Sequence, residues 1–453
     1  MKNRKLLIIT TVICLALIVT ALPLLGACDN TEKTSTTTSP TTPVSVTAGP
    51  TTTTAPLKTS ATPGSTETLK VGIMTPTTGI AAEKGVPLQD ANLDCIKYIN
   101  DELGGVNGYK IEVDWLDSNY NATQAVANVK KFMDDGCLFF TTSSSTEMGY
   151  VQEIANRAGF PGLVAYASPS NYHPPQHIYG QTPDYGDDWI GFTNYYLKNV
   201  WKGTGKPKMA LMLLNNPTGA GAKNAAKALA DTLGVEIVAT EEHAATTVSE
   251  MESLTRVKAL KPDVLYISST PKPSAVIIKN AVELGMFPGV TIGVCHAAMV
   301  KSLIDLAGAD VVEGVYGTFP TVMWTENVPG MAKMTEYVKK LHPKDEGNPD
   351  YIAAWAQSLI IAEILKKALD NVGYDVLAKG DAKAWEAIEK YGFQKLAGYD
   401  VGGLQGAVKY SAGDNRLTKF NRVYRIVNGL ISSPSPWVEA PLVKYETFDW
   451  YGK

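Results

Sequence analysis

The chain has 453 residues, of which 45% are hydrophobic and 19% charged. That is ample for a packed core and too long for one ordinary domain, so two lobes are the expectation. A net charge of −4 gives no support for nucleic-acid binding, and five cysteines with no CxxC pair exclude a fold carried by disulfides.

The N-terminus reads as an address. Lys2, Arg4 and Lys5 precede an apolar run from Leu6 to Leu22, and Leu25-Gly26-Ala27-Cys28 follows. The segment resembles a bacterial lipobox, in which residues 1–27 are a signal peptide and Cys28 is lipidated. The alternative is a plain membrane anchor, since the run is nearly long enough to span. From Asp29 to about Glu67 threonine, serine and proline dominate, as in Thr51-Thr-Thr-Thr-Ala-Pro56. Such a stretch cannot bury a core and is expected to be a disordered tether, with a reach of roughly 35 Å or more. Residues 28–67 then join a lipid on the outer face of a bacterial membrane, or in the periplasm, to a globular body.

Within that body Leu69 to Met74 predicts a first strand. Leu88, Ala91, Cys95, Ile96, Ile99 and Leu103 share one helical face, and Gly104 to Gly108 turn the chain into a strand from Lys110 to Leu116. A helix from Ala122 to Asp135 precedes the apolar run Leu138-Phe139-Phe140, read as a buried strand. Strand–helix pairs follow at Met209–Leu214 with Ala220–Leu233, Val235–Thr240 with Val248–Leu260, Val264–Ser268 with Ala275–Leu284, and Val290–Val294 with Ala297–Leu306. After Gly314 to Phe319 the pattern is mainly helical, over Met331 to Leu341 and Tyr351 to Val372. It closes on short strands near Gly406–Tyr410 and Asn421–Ile426. Repeated βα units predict an α/β fold of parallel sheets covered by helices on both faces.

One stretch carries functional information of its own. Five hydroxyl residues, Thr142 to Thr146, stand between the strand at Phe140 and a helix from Glu147 to Arg157. Open parallel sheets bind ligands where strands end and helices begin, and a helix N-terminus favours an anion. Capping needs only one hydroxyl, so the run points to a ligand carboxylate, with simple capping as the alternative.

Several segments, in order, carry a resemblance: Lys70-Val-Gly-Ile73, Gly104-Gly-Val-Asn-Gly-Tyr-Lys-Ile111, Asp117 with Asn121-Ala-Thr-Gln-Ala-Val126, Ser143-Ser-Ser-Thr146, Ala165-Tyr-Ala-Ser168, Pro262-Asp-Val-Leu-Tyr266 and Gly402-Gly-Leu-Gln-Gly406. From about Leu69 to Lys444 the chain resembles the type I periplasmic binding proteins of branched-chain amino acid and amide ABC transporters. The resemblance implies two α/β lobes joined by three crossings near Asp184–Asp188, Tyr316–Thr321 and Gly403–Ala407. Residues 68–185 with 320–403 would form one lobe, and 186–319 with 404–453 the other. It also implies a monomer that binds a small molecule between the lobes and hands it to an ABC permease, without a cofactor.

By the same resemblance Ser143, Ser144, Tyr166, Ala167 and Ser168 would clasp a ligand carboxylate, with Thr78 and Lys84 facing the cleft. The second lobe departs from the amino-acid-binding pattern. Thr218 stands where leucine-type binders carry a tyrosine, and Cys295-His296 stand where they carry the acid that meets the ligand ammonium. A buried cation without an acidic partner is strongly disfavoured. The expected ligand is therefore a small carboxylate lacking an α-ammonium, aromatic or otherwise, unless Glu83, Asp184 or Asp187 supplies the charge. Tyr185, Trp189, Phe319 and Trp324 stand near the crossings, for stacking on a ligand or for hinge packing. A branched-chain or other amino acid is the alternative ligand.

Gly203-Thr-Gly-Lys206 precedes a strand rather than following one, and Gly219-Ala-Gly221 has no third glycine. HExxH, GxSxG and zinc-spaced Cys/His clusters do not occur, which argues against a secreted enzyme; a membrane-coupled sensor on the same scaffold is the other alternative.

Overall fold

The computed structural model describes residues 57–452. The first lobe is built on five parallel strands, β1 (Thr68–Thr75), β2 (Lys110–Asp117), β3 (Phe140–Ser144), β4 (Gly162–Tyr166) and β5 (Ile178–Gly180), in the order β2-β1-β3-β4-β5. Helices α1 (Ala82–Asp101), α2 (Ala122–Asp134) and α3 (Ser145–Ala158) connect them. The apolar run of β1 is buried along nearly its whole length because helices cover both faces of the sheet.

The second lobe opens with α4 (Tyr185–Tyr195) and continues with β6 (Lys208–Leu214), α5 (Pro217–Leu233), β7 (Glu236–His243), α6 (Met251–Ala259), β8 (Val264–Ser268), α7 (Pro271–Glu283), β9 (Thr291–Val294), α8 (Lys301–Ala307), α9 (Ala309–Val312) and β10 (Tyr316–Phe319). The chain then returns to the first lobe with α10 (Met331–Leu341) and α11 (Pro349–Val372), both packed on α1. Tyr351 to Gln357 of α11 are buried on every side, the mark of a helix inside a core rather than on its surface. Among the described residues no helix is long and apolar enough to cross a membrane.

The hydroxyl run differs from its sequence reading. Strand β3 begins at Phe140 and carries Thr141, Thr142 and Ser143 within it, Thr142 pairing with Val164 and Ser144 with Tyr166. Helix α3 follows at once from Ser145. The run is thus mostly ladder, because β-branched threonine suits a pleated strand. The helices expected from Val248 and Ala297 start later, at Met251 and Lys301.

Three crossings join the lobes. The first leaves β5 through Gln181 to Asp184. The second and third run antiparallel, with a Thr321–Gln405 bridge and Val322 N–H donating to Leu404 O at 2.8 Å. The third does not enter the second sheet at Gly403–Ala407. Strand β11 (Ala397–Tyr399) pairs with β12 (Val408–Lys409), and Asn415 to Leu417 hydrogen-bond along Gly180 of β5. Only then does the chain join the second sheet through β13 (Phe420–Val427) and β14 (Leu430–Ser432), with β15 (Val438–Glu439) paired to β13. The full order of that sheet is β14-β13-β10-β9-β8-β6-β7, parallel except at β13 and β14.

The segment expected to tether the body up to Glu67 is already docked from Leu57. Tyr374 N–H donates to Lys58 O at 2.7 Å, Ala61 N–H to Asn107 O at 3.0 Å, and the Tyr109 hydroxyl to Ser60 O at 3.1 Å. The signal segment, Cys28 and the rest of the tether lie outside the described residues.

At the meeting of the first and third crossings sits Arg416, about 1% exposed. Its guanidinium donates to Asp187 Oδ1 at 2.7 Å and to Asp414 at 3.0 and 2.9 Å. Burial pushes Asp187 up to about 7 against the pull of the guanidinium. Asp414 is also buried, yet its hydrogen bond and charge pairing with Arg416 hold it below its ordinary value. Removing the arginine would leave Asp187 sealed without a cation and Asp414 with only Lys419, 3.0 Å away. Arg416→Met is expected to lower the unfolding free energy by about 3–5 kcal/mol, read from urea denaturation at neutral pH; a change below about 1 kcal/mol would assign the cluster no more weight than a surface ion pair.

Candidate functional site

The C-terminal ends of β1, β3 and β4 face the second lobe across a small space. Gly85 permits the first turn of α1 to rest on the β1–α1 loop, since a Cβ there would lie 2.0 Å from Pro76 O. This brings Lys84 over the space. Its ammonium lies 2.9 Å from both oxygens of Asp350, 3.3 Å from Ala297 O of the second lobe, and 5.2 Å from the centre of the Tyr166 ring. Tyr166 donates its hydroxyl to Asp350 Oδ1 at 2.7 Å. Asp350 stands in the first turn of α11, where the helix dipole favours a carboxylate, and Asn348 caps its N–H at 3.0 Å.

Ser144 ends β3 and caps α3, its Oγ accepting from Glu147 N at 3.2 Å. Ser143 donates to Glu147 Oε2 at 3.1 Å, Thr142 to the same oxygen at 3.3 Å, and Ser118 to Oε1. Glu147 is wholly buried, and burial pushes its carboxyl up to about 7 despite these hydroxyls. On the facing wall Gly221 of α5 makes room for Tyr185, whose Cβ would lie 2.8 Å from a Cβ at that glycine. Asn216 caps α5 by accepting from Thr218 N at 2.9 Å, and its Nδ2 reaches Thr146 Oγ1 of the first lobe at 3.4 Å.

The cavity, partly open to solvent, measures about 50 Å³. Lys84, Leu88, Tyr120, Ser143, Ser144 and Tyr166 line it from the first lobe, and Tyr185, Thr218, Thr270 and Ala297 from the second. A second space of about 60 Å³ adjoins it, sharing Ala81, Lys84, Tyr120 and Thr270 and extending past Glu83 and Asn216. Larger hollows of about 420, 480 and 180 Å³ lie elsewhere, beside α3, between α5 and β7, and between α8 and the segment Met323 to Thr325; none is walled by the facing strand ends of both sheets.

Six of the sequence candidates therefore meet at one cavity: Lys84, Ser143, Ser144, Tyr166, Tyr185 and Thr218. The other six do not line it. Thr78 is exposed and donates to Asp117. Ala167 O accepts from Tyr185 N at 3.2 Å. Ser168 is buried beside the turn at Pro169, its N–H donating to Asn171 Oδ1 at 2.8 Å and its hydroxyl unpartnered. Cys295 donates to Ser269 O at 3.3 Å, and burial pushes its thiol up to about 11. His296 stacks on Tyr185 with ring centres 4.4 Å apart, and its Nδ1 lies 2.6 Å from Asp188 Oδ2. Phe319 meets the rings of Tyr166 and His296 edge-on at 6.5 and 6.4 Å.

The aromatics at the crossings divide likewise. Trp189 is core, its Nε1 donating to Met209 Sδ at 3.2 Å, and Trp324 donates to Asn348 O at 2.8 Å. Of the acids weighed for a ligand ammonium, Asp184 caps α4 and accepts from Tyr172 at 2.6 Å, Asp187 holds Arg416, and Glu83 faces the outer space, where burial raises its carboxyl. Tyr120, Thr270, Ala297 and Asp350 were missed. Asn348-Pro349-Asp350 is a legible helix start, but nothing in sequence ties Asp350 to Lys84. Tyr120 owes its place to left-handed backbone, φ 54°, directly after Asn119 at φ 50°. Among the described residues no cluster of three or more His, Cys, Asp or Glu could hold a metal ion.

Two lobes of parallel sheet, three crossings and a cavity walled by the facing strand ends define a two-lobed binding protein. Residues 68–429 match the family model described as periplasmic binding protein, and the chain belongs to that family. No curated protein matches it in sequence. Among solved structures it is similar to a branched-chain amino acid ABC transporter protein from Thermus thermophilus with bound valine, at TM-score 0.71 and 19% identity over 83% of this chain and 97% of that one. It is similar to the isoleucine complex of a branched-chain amino acid transporter substrate-binding protein from Streptococcus pneumoniae, at 0.67 and 18% over 82% and 100%. A fatty acid ABC transporter substrate-binding protein from Thermomonospora curvata matches at 0.68 and 19% over 86% and 95%. At these identities the likeness is one of fold.

The buried carboxyl behind the cavity gives a pH signature. Glu147 rises from an ordinary 4.5 to about 7 on folding, so between these values the unfolded chain has lost a proton that the folded chain keeps. Its contribution is full below pH 4.5 and is lost as pH rises through about 7. Glu147→Gln should remove that loss. In thermal melts from pH 4 to 8 the variant is expected to gain on the parent as pH rises; parallel curves would show that Glu147 ionises as freely as an exposed carboxyl.

Proposed function

We propose that this chain is the solute-binding component of an ABC importer and captures a small carboxylate-bearing molecule in the cavity at Lys84. The observation that carries this reading is that the cavity has walls from both lobes. A ligand there contacts both, so closing the lobes on it gains interactions that the open form lacks. Among the described residues Lys84 is the one charged side chain on the inner lining, which also carries the hydroxyls of Ser144, Tyr120, Tyr185 and Thr218.

The ligand lacks an α-ammonium in this reading. The nearby carboxylates are engaged: Asp350 by Lys84 and Tyr166, Asp188 by His296 N–H and Asn421, Asp187 by Arg416, and Glu147 by hydroxyls. A ligand ammonium would find no free acid on the inner lining. The fold serves both chemistries, since its structural neighbours include proteins with bound valine or isoleucine and a substrate-binding protein of a fatty acid transporter. Branched-chain amino acid binding is the second reading on the strength of those neighbours.

The protein works as a monomer, held at the outer membrane face through lipid on Cys28. Cys28→Ala is expected to abolish incorporation of labelled fatty acid; label retained by that variant would place the anchor elsewhere or nowhere. For the ligand, a thermal-shift panel of aliphatic and aromatic carboxylates beside the twenty amino acids is the direct test. Saturable shifts are expected from acids without an amine. Lys84→Met should weaken them ten- to hundredfold, the equivalent of about 1.5–3 kcal/mol for a charged hydrogen bond. Saturable binding of leucine or valine with no response to any simple acid would overturn the assignment.

A further inference from the structure

We infer that Asp350 sets the charge that the cavity accepts, holding the site neutral through Lys84 and so restricting the ligand to one that is neutral or singly anionic. The inference rests on the reading of this cavity as the ligand site. Both Asp350 oxygens lie 2.9 Å from the Lys84 ammonium, and the carboxylate is about 1% exposed where the lysine is 14%. Asp350 cannot swing aside. It is held by the Tyr166 hydroxyl at 2.7 Å and by a helix turn that Asn348 caps.

The ammonium therefore has one replaceable contact, the 3.3 Å hydrogen bond to Ala297 O across the lobes. A single ligand carboxylate can take that place while the Lys84–Asp350 pair stays intact. A second carboxylate on the ligand would have no cation left to meet. Toward the interior it would face Asp350, and toward the outer space it would face Glu83. Like charges in a closed, water-poor site repel far more than in bulk water. The two acids thus act as an electrostatic filter against dianions, a form of specificity by repulsion.

The test uses the full chain with three probes: acetate, malonate and acetamide. Asp350→Asn keeps the shape and an acceptor for Tyr166 but removes the charge. In calorimetry the variant is expected to favour malonate over acetate by about tenfold more than the parent does, with acetamide unchanged. An unaltered malonate-to-acetate ratio, or no response to either acid in both proteins, would overturn the inference. Should Asp350→Asn misfold, Lys84→Met gives an independent reading. It leaves Asp350 without its cation, so acetate binding should weaken ten- to hundredfold and methylammonium should bind; an unchanged acetate response would again overturn it. The underlying reading fails separately. A small molecule that co-purifies with the parent and binds Thr218→Trp, whose indole fills the cavity, with unchanged affinity would show that the ligand site lies elsewhere.

Discussion

Three passages of chain cross between the sheets, and one buried guanidinium lies where the first and third meet. Arg416 is sealed from water together with Asp187 and Asp414, an arrangement that is stable only while all partners remain. The first turn of α4 spreads its acids around this point. Asp184 reaches Tyr172 in the first lobe, Asp187 takes Arg416, and Asp188 accepts from His296 N–H at 3.0 Å and Asn421 at 3.2 Å in the second lobe. One helical turn is thereby tied to both lobes and to a second crossing. Tyr185, a cavity wall, belongs to that same turn, so the wall inherits its position from charges that never touch the ligand.

The cavity itself is joined across the lobes by weak links. Lys84 to Ala297 O at 3.3 Å and Asn216 to Thr146 at 3.4 Å are long hydrogen bonds from half-buried donors to buried residues. Each adds little to closure, on the order of 1 kcal/mol or less. That suits a binding protein. A ligand shifts an equilibrium only by its differential affinity for the two states, and a closed form already locked by its own contacts would leave the ligand little to decide. The buried ion pairs lie at the crossings and the long hydrogen bonds at the cavity.

The fold was legible because parallel strands buried on both faces read as unbroken apolar runs between amphipathic helices, as in Val71 to Met74 and Leu211 to Leu214. Half of the candidate site was legible for a related reason: residues at the C-terminal ends of such strands face the crevice wherever the topology is doubly wound. What sequence could not supply was depth. Ser168 and Cys295 also follow strands, yet each turns into packing, because one residue of shift at a strand end exchanges cavity for core. Nor could sequence supply Asp350, which meets Lys84 only because α1 and α11 pack side by side across 266 residues of separation. Tyr120 required knowledge of a left-handed turn at Asn119, where neither residue is glycine.

The hydroxyl run shows how composition can be right about chemistry and incomplete about the recipient. Its donors do meet a carboxyl group, but that group belongs to the protein: Ser143 and Thr142 are directed at Glu147, joined by Ser118 from beyond β2. Ser144 accepts at the helix cap and lines the cavity. An anion held there would lie close to a buried acid whose charge depends on pH near neutrality.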